Sequence, residues 1–130
     1  MPSVEIRDET VIVVRRETLA AVVAERSRWS AWWPGLEATV VADRGLDGLR
    51  WRVIGGLVGS VEVALAPAGT GVLVRYALAA DPTAPGSRTE PRLLPDSPHG
   101  RRELAGLRRR HALAWKAIVW SLKDELESGS

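Results

Sequence analysis

The hydrophobic pattern changes period several times along the chain, and each change marks an element. Residues 4–14 are rich in Val, Ile and Thr. Val4, Ile6, Asp8, Thr10 and Ile12 share one side and Glu5, Arg7 and Glu9 the other, which predicts a long strand. Val11 and Val13 make its end apolar on both sides, so a bulge or a cover is expected there. Over 16–26 the period becomes helical, with Leu19, Val22 and Val23 on one stripe. A second short helix is expected over 27–33, stopped by Pro34-Gly35. Strand signals return over 36–43, 49–54, 57–66 and 72–80, separated by Gly-containing turns. Trp51 and Val53 alternate with Arg50 and Arg52, and Val74, Tyr76 and Leu78 with Arg75. Such alternation predicts an antiparallel sheet with one wet and one buried face.

Near the C-terminus Leu104, Leu107, His111, Trp115, Ile118, Leu122 and Leu126 recur at spacings of three and four. They form one stripe of a single helix over about 101–127, on the order of 40 Å long. Ser97 before Pro98 suits a cap followed by the first helical residue, so the helix can begin there. Gly106 inside it costs about 1 kcal/mol against Ala and points to a close approach or a bend. Pro82, Pro85, Pro91, Pro95 and Pro98 crowd 81–98. That stretch is expected to hold neither ladder nor helix and to form a long surface connection, a linker in preference to a lid. Residues 128–130 are expected to fray.

Trp29, Trp32 and Trp33 put three indoles into five residues. They are expected to plug one end of the core and join the helices to the sheet. Composition removes several chemistries. Cysteine is absent, which excludes disulfides, thiolate metal sites and a cysteine nucleophile. His99 and His111 are too few for a zinc cluster, so neither metal nor cofactor is expected. The pI of about 9.7 overstates the basicity, because nearly all cations are Arg and stay charged to high pH; the net charge is only +2, so no nucleic-acid partner is expected. No apolar run approaches the roughly 20 residues of a membrane span and no signal-peptide pattern is present, so a cytoplasmic location is expected. At 130 residues the chain is expected to form one domain.

Strand, two short helices, antiparallel meander and long helix occur in an order that resembles the START-like, helix-grip (SRPBCC) superfamily. The stretch Trp29-Ser30-Ala31-Trp32-Trp33-Pro34-Gly35-Leu36 adds to the likeness, which extends to the polyketide cyclase/dehydrase and lipid-transport family. The stretches Arg110-His111-Ala112-Leu113-Ala114-Trp115-Lys116 and Leu122-Lys123-Asp124-Glu125-Leu126-Glu127 are similar to the end of actinobacterial members. The resemblance implies an α+β helix-grip domain in which about five strands, shortened from the family's seven, wrap a long C-terminal helix. With a middle hairpin lost, the family cavity is expected to be shallower, more open or filled by tryptophan.

In that family the ligand lies between sheet and helix. The resemblance therefore implies a site lined by Trp51, Val53, Val63, Val74, Tyr76, Leu107, His111, Trp115 and Ile118, taking a small hydrophobic or aromatic molecule, a lipid or polyketide-like compound. A second reading is a polyketide aromatase/cyclase or dehydratase, with His111 and Asp8 or Tyr76 moving protons. A third is a non-catalytic interaction protein with a filled cavity, acting as monomer or homodimer. The sequence holds no nucleophile elbow, phosphate loop or paired catalytic carboxylates, which favours the binder. Arg108, Arg109 and Arg110 read as a solvated face.

Overall fold

A computed structural model describes residues 2–128. Strand β1 (Val4–Ile12) is followed by helices α1 (Arg16–Val23) and α2 (Arg26–Trp32). Strands β2 (Leu36–Asp43), β3 (Gly48–Gly55), β4 (Leu57–Ala68) and β5 (Gly71–Pro82) come next, then helix α3 (Pro98–Ser128). The sheet order is β1-β5-β4-β3-β2, antiparallel throughout. The two short helices thus carry the chain from one edge of the sheet to the other, and the meander walks back until β5 pairs with β1. The five strands, the two short helices and the long C-terminal helix are those the sequence predicts.

Pairing register places the inward side chains in rows. Trp51, Val61, Leu78 and Ile6 are successive partners across β3, β4, β5 and β1; Leu49, Val63, Tyr76 and Asp8 form the next row. All but Asp8 are buried. Helix α1 buries Leu19, Val22 and Val23 against this face, and α2 buries Trp29 and Trp32. Neither helix has a side-chain N-cap. Tertiary contacts stand in for caps. Trp29 Nε1 donates to Val23 O at 2.9 Å, satisfying an orphan carbonyl at the end of α1. The Arg16 guanidinium donates to Leu46 O and Leu65 O and pairs with Asp47, fixing the start of α1 to the β2–β3 turn and β4.

Three local expectations need correction. The end of β1 is not bulged: its register with β5 is unbroken from Val4↔Ala80 to Ile12↔Val72, and Val11 and Val13 are exposed. The bulge lies instead in β2, between Val40 and Ala42. The proline-rich segment is not a free linker. β5 continues through Asp81 and Pro82, and Thr83 bridges to Pro91. Gly55 N donates to Arg88 O, Thr83 Oγ1 to Gly55 O and Arg92 N to Pro82 O. Prolines removed donors from this stretch but left its other N–H groups free to pair. Residues 129–130 of the expected frayed tail lie outside the described residues.

Helix α3 begins where Ser97 predicts, with Gly100 N donating to Ser97 Oγ at 3.1 Å. The close approach, however, is at Gly100 and not at Gly106. A Cβ on Gly100 would lie 2.0 Å from Pro95 O, whereas one on Gly106 would meet nothing within 4 Å. Gly106→Ala is therefore expected to raise stability by about 0.5–1 kcal/mol, and Gly100→Ala to lower it by about 1–3 kcal/mol. Thermal melts of the two variants, with shifts of opposite sign, check both.

Candidate functional site

The site is built from the second register row. Tyr76 and Asp8 are direct partners across β5 and β1, both facing inward. Trp115, the residue that α3 presents to them, engages both. Its ring stacks on Tyr76 with centroids 3.9 Å apart and planes at 8°, and its Nε1 donates to Asp8 Oδ2 at 3.2 Å. Asp8 also accepts from Thr10 Oγ1 at 3.1 Å and pairs with Lys116. Its carboxylate is thus fully occupied in seating the helix on the strand.

From Tyr76 the aromatic contacts close into a ring. Trp33 Nε1 donates to Tyr76 Oη at 3.1 Å; Trp33 meets Trp32 edge-on at 5.7 Å; Trp32 meets Trp115 edge-on at 6.3 Å. Below this ring Trp51 packs against Trp33 at 4.9 Å and Trp29 at 5.3 Å. Trp51 Nε1 is buried without an acceptor, a cost of about 1–3 kcal/mol that the surrounding indole burial must exceed. Buried indoles from α2 and β3 thus take up much of the space between α2 and the sheet.

A groove of about 330 Å³ opens above the ring, lined by Trp32, Trp33, Pro34, Tyr76, Arg110, His111, Ala114 and Trp115. Of the residues the resemblance implies for the site, Tyr76, His111 and Trp115 meet here. Trp51, Val53, Val63 and Val74 do not reach it; they are almost fully buried in the core, with Trp51 roofed by α2 and not by α3. Ile118 is half-buried against the core, and Leu107 faces a separate cleft of about 460 Å³ beside Thr83 and Arg92. Sequence reasoning missed Trp32, Trp33, Pro34, Arg110 and Ala114 as lining residues. The tryptophan cluster was visible as a plug, but no local signal says that one side of the plug stays open.

The polar groups of the groove are underused. Burial pushes the Tyr76 hydroxyl up to about 12, partly offset by the Trp33 hydrogen bond, so it stays protonated. That hydroxyl accepts from Trp33, while its own hydrogen meets no acceptor among the described residues. Burial, and then the neighbouring Arg110 charge, hold His111 below its ordinary value of 6.5, so its imidazole is neutral at pH 7. No hydrogen bond from the described residues reaches it, and Asp8 in particular does not. The pairing of His111 with Asp8 expected for proton transfer is therefore not formed; Trp115 and Lys116 take that carboxylate.

Comparison with solved structures adds the architecture's relatives. DR_A0006 from Deinococcus radiodurans superposes with a TM-score of 0.65 at 17% identity, covering 97% of this chain and 99% of that one. The Aha1 dimer from Colwellia psychrerythraea gives 0.61 at 14% identity, with 98% of each chain covered. DynU16, from the dynemicin biosynthetic locus, gives 0.59 at 16% identity, over 97% of this chain and 48% of that one. This is a START-like, helix-grip fold. No protein-family model and no curated protein sequence matches the chain. At such identities the START-like likeness is one of fold alone, and the chemistry must come from the groove. No helix among the described residues is long and apolar enough to cross a membrane, and no group of His, Asp and Glu among them is arranged to hold a metal ion.

The lowered His111 pKa fixes a pH dependence. A histidine depressed in the folded state contributes stability above its unfolded value, and that contribution is lost as pH falls below about 6.5. The melting temperature is expected to drop between about pH 8 and pH 5, and to drop less in His111→Gln. Identical pH profiles for the two proteins would show that His111 does not feel this environment.

Proposed function

We propose that this START-like protein binds a small hydrophobic or aromatic molecule in the groove over the aromatic ring. One observation carries the reading: the Tyr76 hydroxyl and the His111 imidazole face a groove of mostly apolar lining, with Arg110 also lining it, and their hydrogen-bonding capacity is unmet among the described residues. Polar groups in such surroundings need partners, and a ligand oxygen supplies them. Burial of the ligand's apolar surface against Trp32, Trp33, Pro34 and Trp115 drives affinity, while Tyr76 as donor and His111 as donor or acceptor set orientation. A flat, oxygenated compound of lipid or polyketide type fits this division. The packed interior supports a ligand held at the rim, not one enclosed as a cargo.

A catalytic reading is second, and the fold shared with DynU16, of a biosynthetic locus, is the observation that favours it. His111, neutral at pH 7, is then the base, and Tyr76 steadies a developing oxyanion through its O–H. Tyr76 itself is no base, since a phenol held near 12 gives up its proton far above physiological pH.

A panel of aromatic, polyketide-like and acyl compounds, followed by thermal shift and by tryptophan fluorescence, tests the proposal. Binders are expected to raise the melting temperature. Tyr76→Phe keeps the stack on Trp115 and removes only the hydroxyl, so it is expected to weaken oxygenated ligands by about fivefold to tenfold and hydrocarbon analogues little. His111→Ala is expected to weaken the same oxygenated set. If no compound shifts the melt, or if both variants bind as well as the parent, the groove is not a ligand site.

A further inference from the structure

The outward face of α3 carries an apolar stripe that the fold leaves uncovered. Leu113, Ala117 and Trp120 follow at spacings of four and three and are all exposed, Leu113 by 57% and Trp120 by 56%. Arg109 lies four residues before this stripe and Asp124 four after it, both exposed. On one side of the stripe Lys116 and Lys123 tie α3 to β1, through Asp8 and Val11 O. On the other side Arg28–Glu125 and Arg92–Glu103 tie it to α2 and to the segment before the helix. The stripe runs between these two seams, and no element among the described residues covers it. Neither the Arg109 guanidinium nor the Asp124 carboxylate has an ion partner among the described residues.

We infer that this face is a homodimer interface in which α3 packs antiparallel on α3 of a second copy. The order of residues decides the arrangement. Placed antiparallel about a two-fold axis between Lys116 and Ala117, Trp120 of each copy meets Leu113 of the other, and Asp124 of each meets Arg109 of the other. A parallel pair would instead stack Arg109 on Arg109 and Asp124 on Asp124. The stripe is thus complementary to itself in one orientation only, which closes a symmetric pair and does not propagate a chain of subunits. Fifteen residues separate Arg109 from Asp124, about 22 Å of helix, so each ion pair flanks the apolar contact at an end. One helix face lies at the small end of stable interfaces, so dissociation is expected in about the micromolar range and is expected to weaken with salt. The groove lies on another side of α3 and is not involved, so the inference stands apart from the ligand proposal.

Sedimentation equilibrium of the full chain tests it by charge reversal. The parent chain is expected to dimerise. Arg109→Asp sets Asp against Asp, and Asp124→Arg sets Arg against Arg, so each variant alone is expected to dimerise at least about tenfold more weakly. Mixing the two variants is expected to restore a dimer made of one copy of each, and the double variant Arg109→Asp/Asp124→Arg is expected to regain the homodimer. Both positions are exposed and their side chains bond to nothing among the described residues, so unchanged melting temperatures certify the fold. A parent chain that stays monomeric at millimolar concentration, single variants that dimerise like the parent, or a mixture that fails to re-associate would each overturn the inference.

Discussion

Everything in this structure that bears on function depends on how one indole is seated. Trp115 rests on two residues that face each other across the β1–β5 pair, stacking on Tyr76 and donating to Asp8. A flat contact 3.9 Å deep together with a hydrogen bond to a carboxylate fixes the ring in position and rotation, and with it the azimuth of a 31-residue helix. Toward the C-terminus Val119 and Leu122 continue the burial, Lys123 donates to the Val11 carbonyl of β1, and Glu127 accepts from Val13 N just beyond the strand. These bonds take up two backbone groups at the end of the edge strand that would otherwise lack partners. Toward the N-terminus only Gly100 is buried. Between Gly100 and Trp115 the helix buries no residue fully, Leu104 and Leu107 packing on the core only in part, and the groove opens beside the end of this stretch.

The aromatic ring explains why the interior is full while its rim is open. A five-stranded sheet gives a small concave face, and the space above it is taken by Trp29, Trp33 and Trp51, whose side chains bury on the order of 150–250 Å² each. With α2 roofing Trp51, indole rings take up the space over this part of the sheet. What remains lies between α2 and α3, where Trp32 and Trp115 meet only edge to edge at 6.3 Å and Ala114 offers no bulk. The groove is a consequence of packing large flat rings at right angles.

Its electrostatics follow from the same burial. Covering Tyr76 and half-covering His111 disfavours their charged forms, so both are neutral hydrogen-bonding groups at pH 7, with the Arg110 charge at the edge. Such a surface suits uncharged or weakly polar oxygen atoms on an apolar frame. It also separates the two readings of the groove: binding needs only these neutral groups, whereas proton transfer needs His111 to work without the carboxylate that Asp8 has committed elsewhere.

Much of the fold was legible because periodicity is local. Alternation in β3 to β5, the three-and-four spacing of Leu104 to Leu126 and the Ser97-Pro98 start of α3 each express a constraint between residues close in sequence. Local composition misled where the answer depended on distant partners. Prolines around Pro85 and Pro91 suggested a linker, yet Gly55, Gly56 and Glu103 supply its partners; Gly106 suggested a contact that belongs to Gly100. For the site, Tyr76, His111 and Trp115 were nameable as inward-facing residues with polar tips. Register and helix azimuth, set by contacts about a hundred residues apart such as Asp8 to Trp115, sent Trp51, Val53, Val63 and Val74 into the core and brought Trp32, Trp33 and Arg110 to the groove. The sequence by itself determined the elements and which face of each is apolar, because side-chain periodicity needs no partner. Only the tertiary structure decided which apolar surfaces close on each other and which stay open, because that depends on the volumes of side chains brought together from opposite ends of the chain.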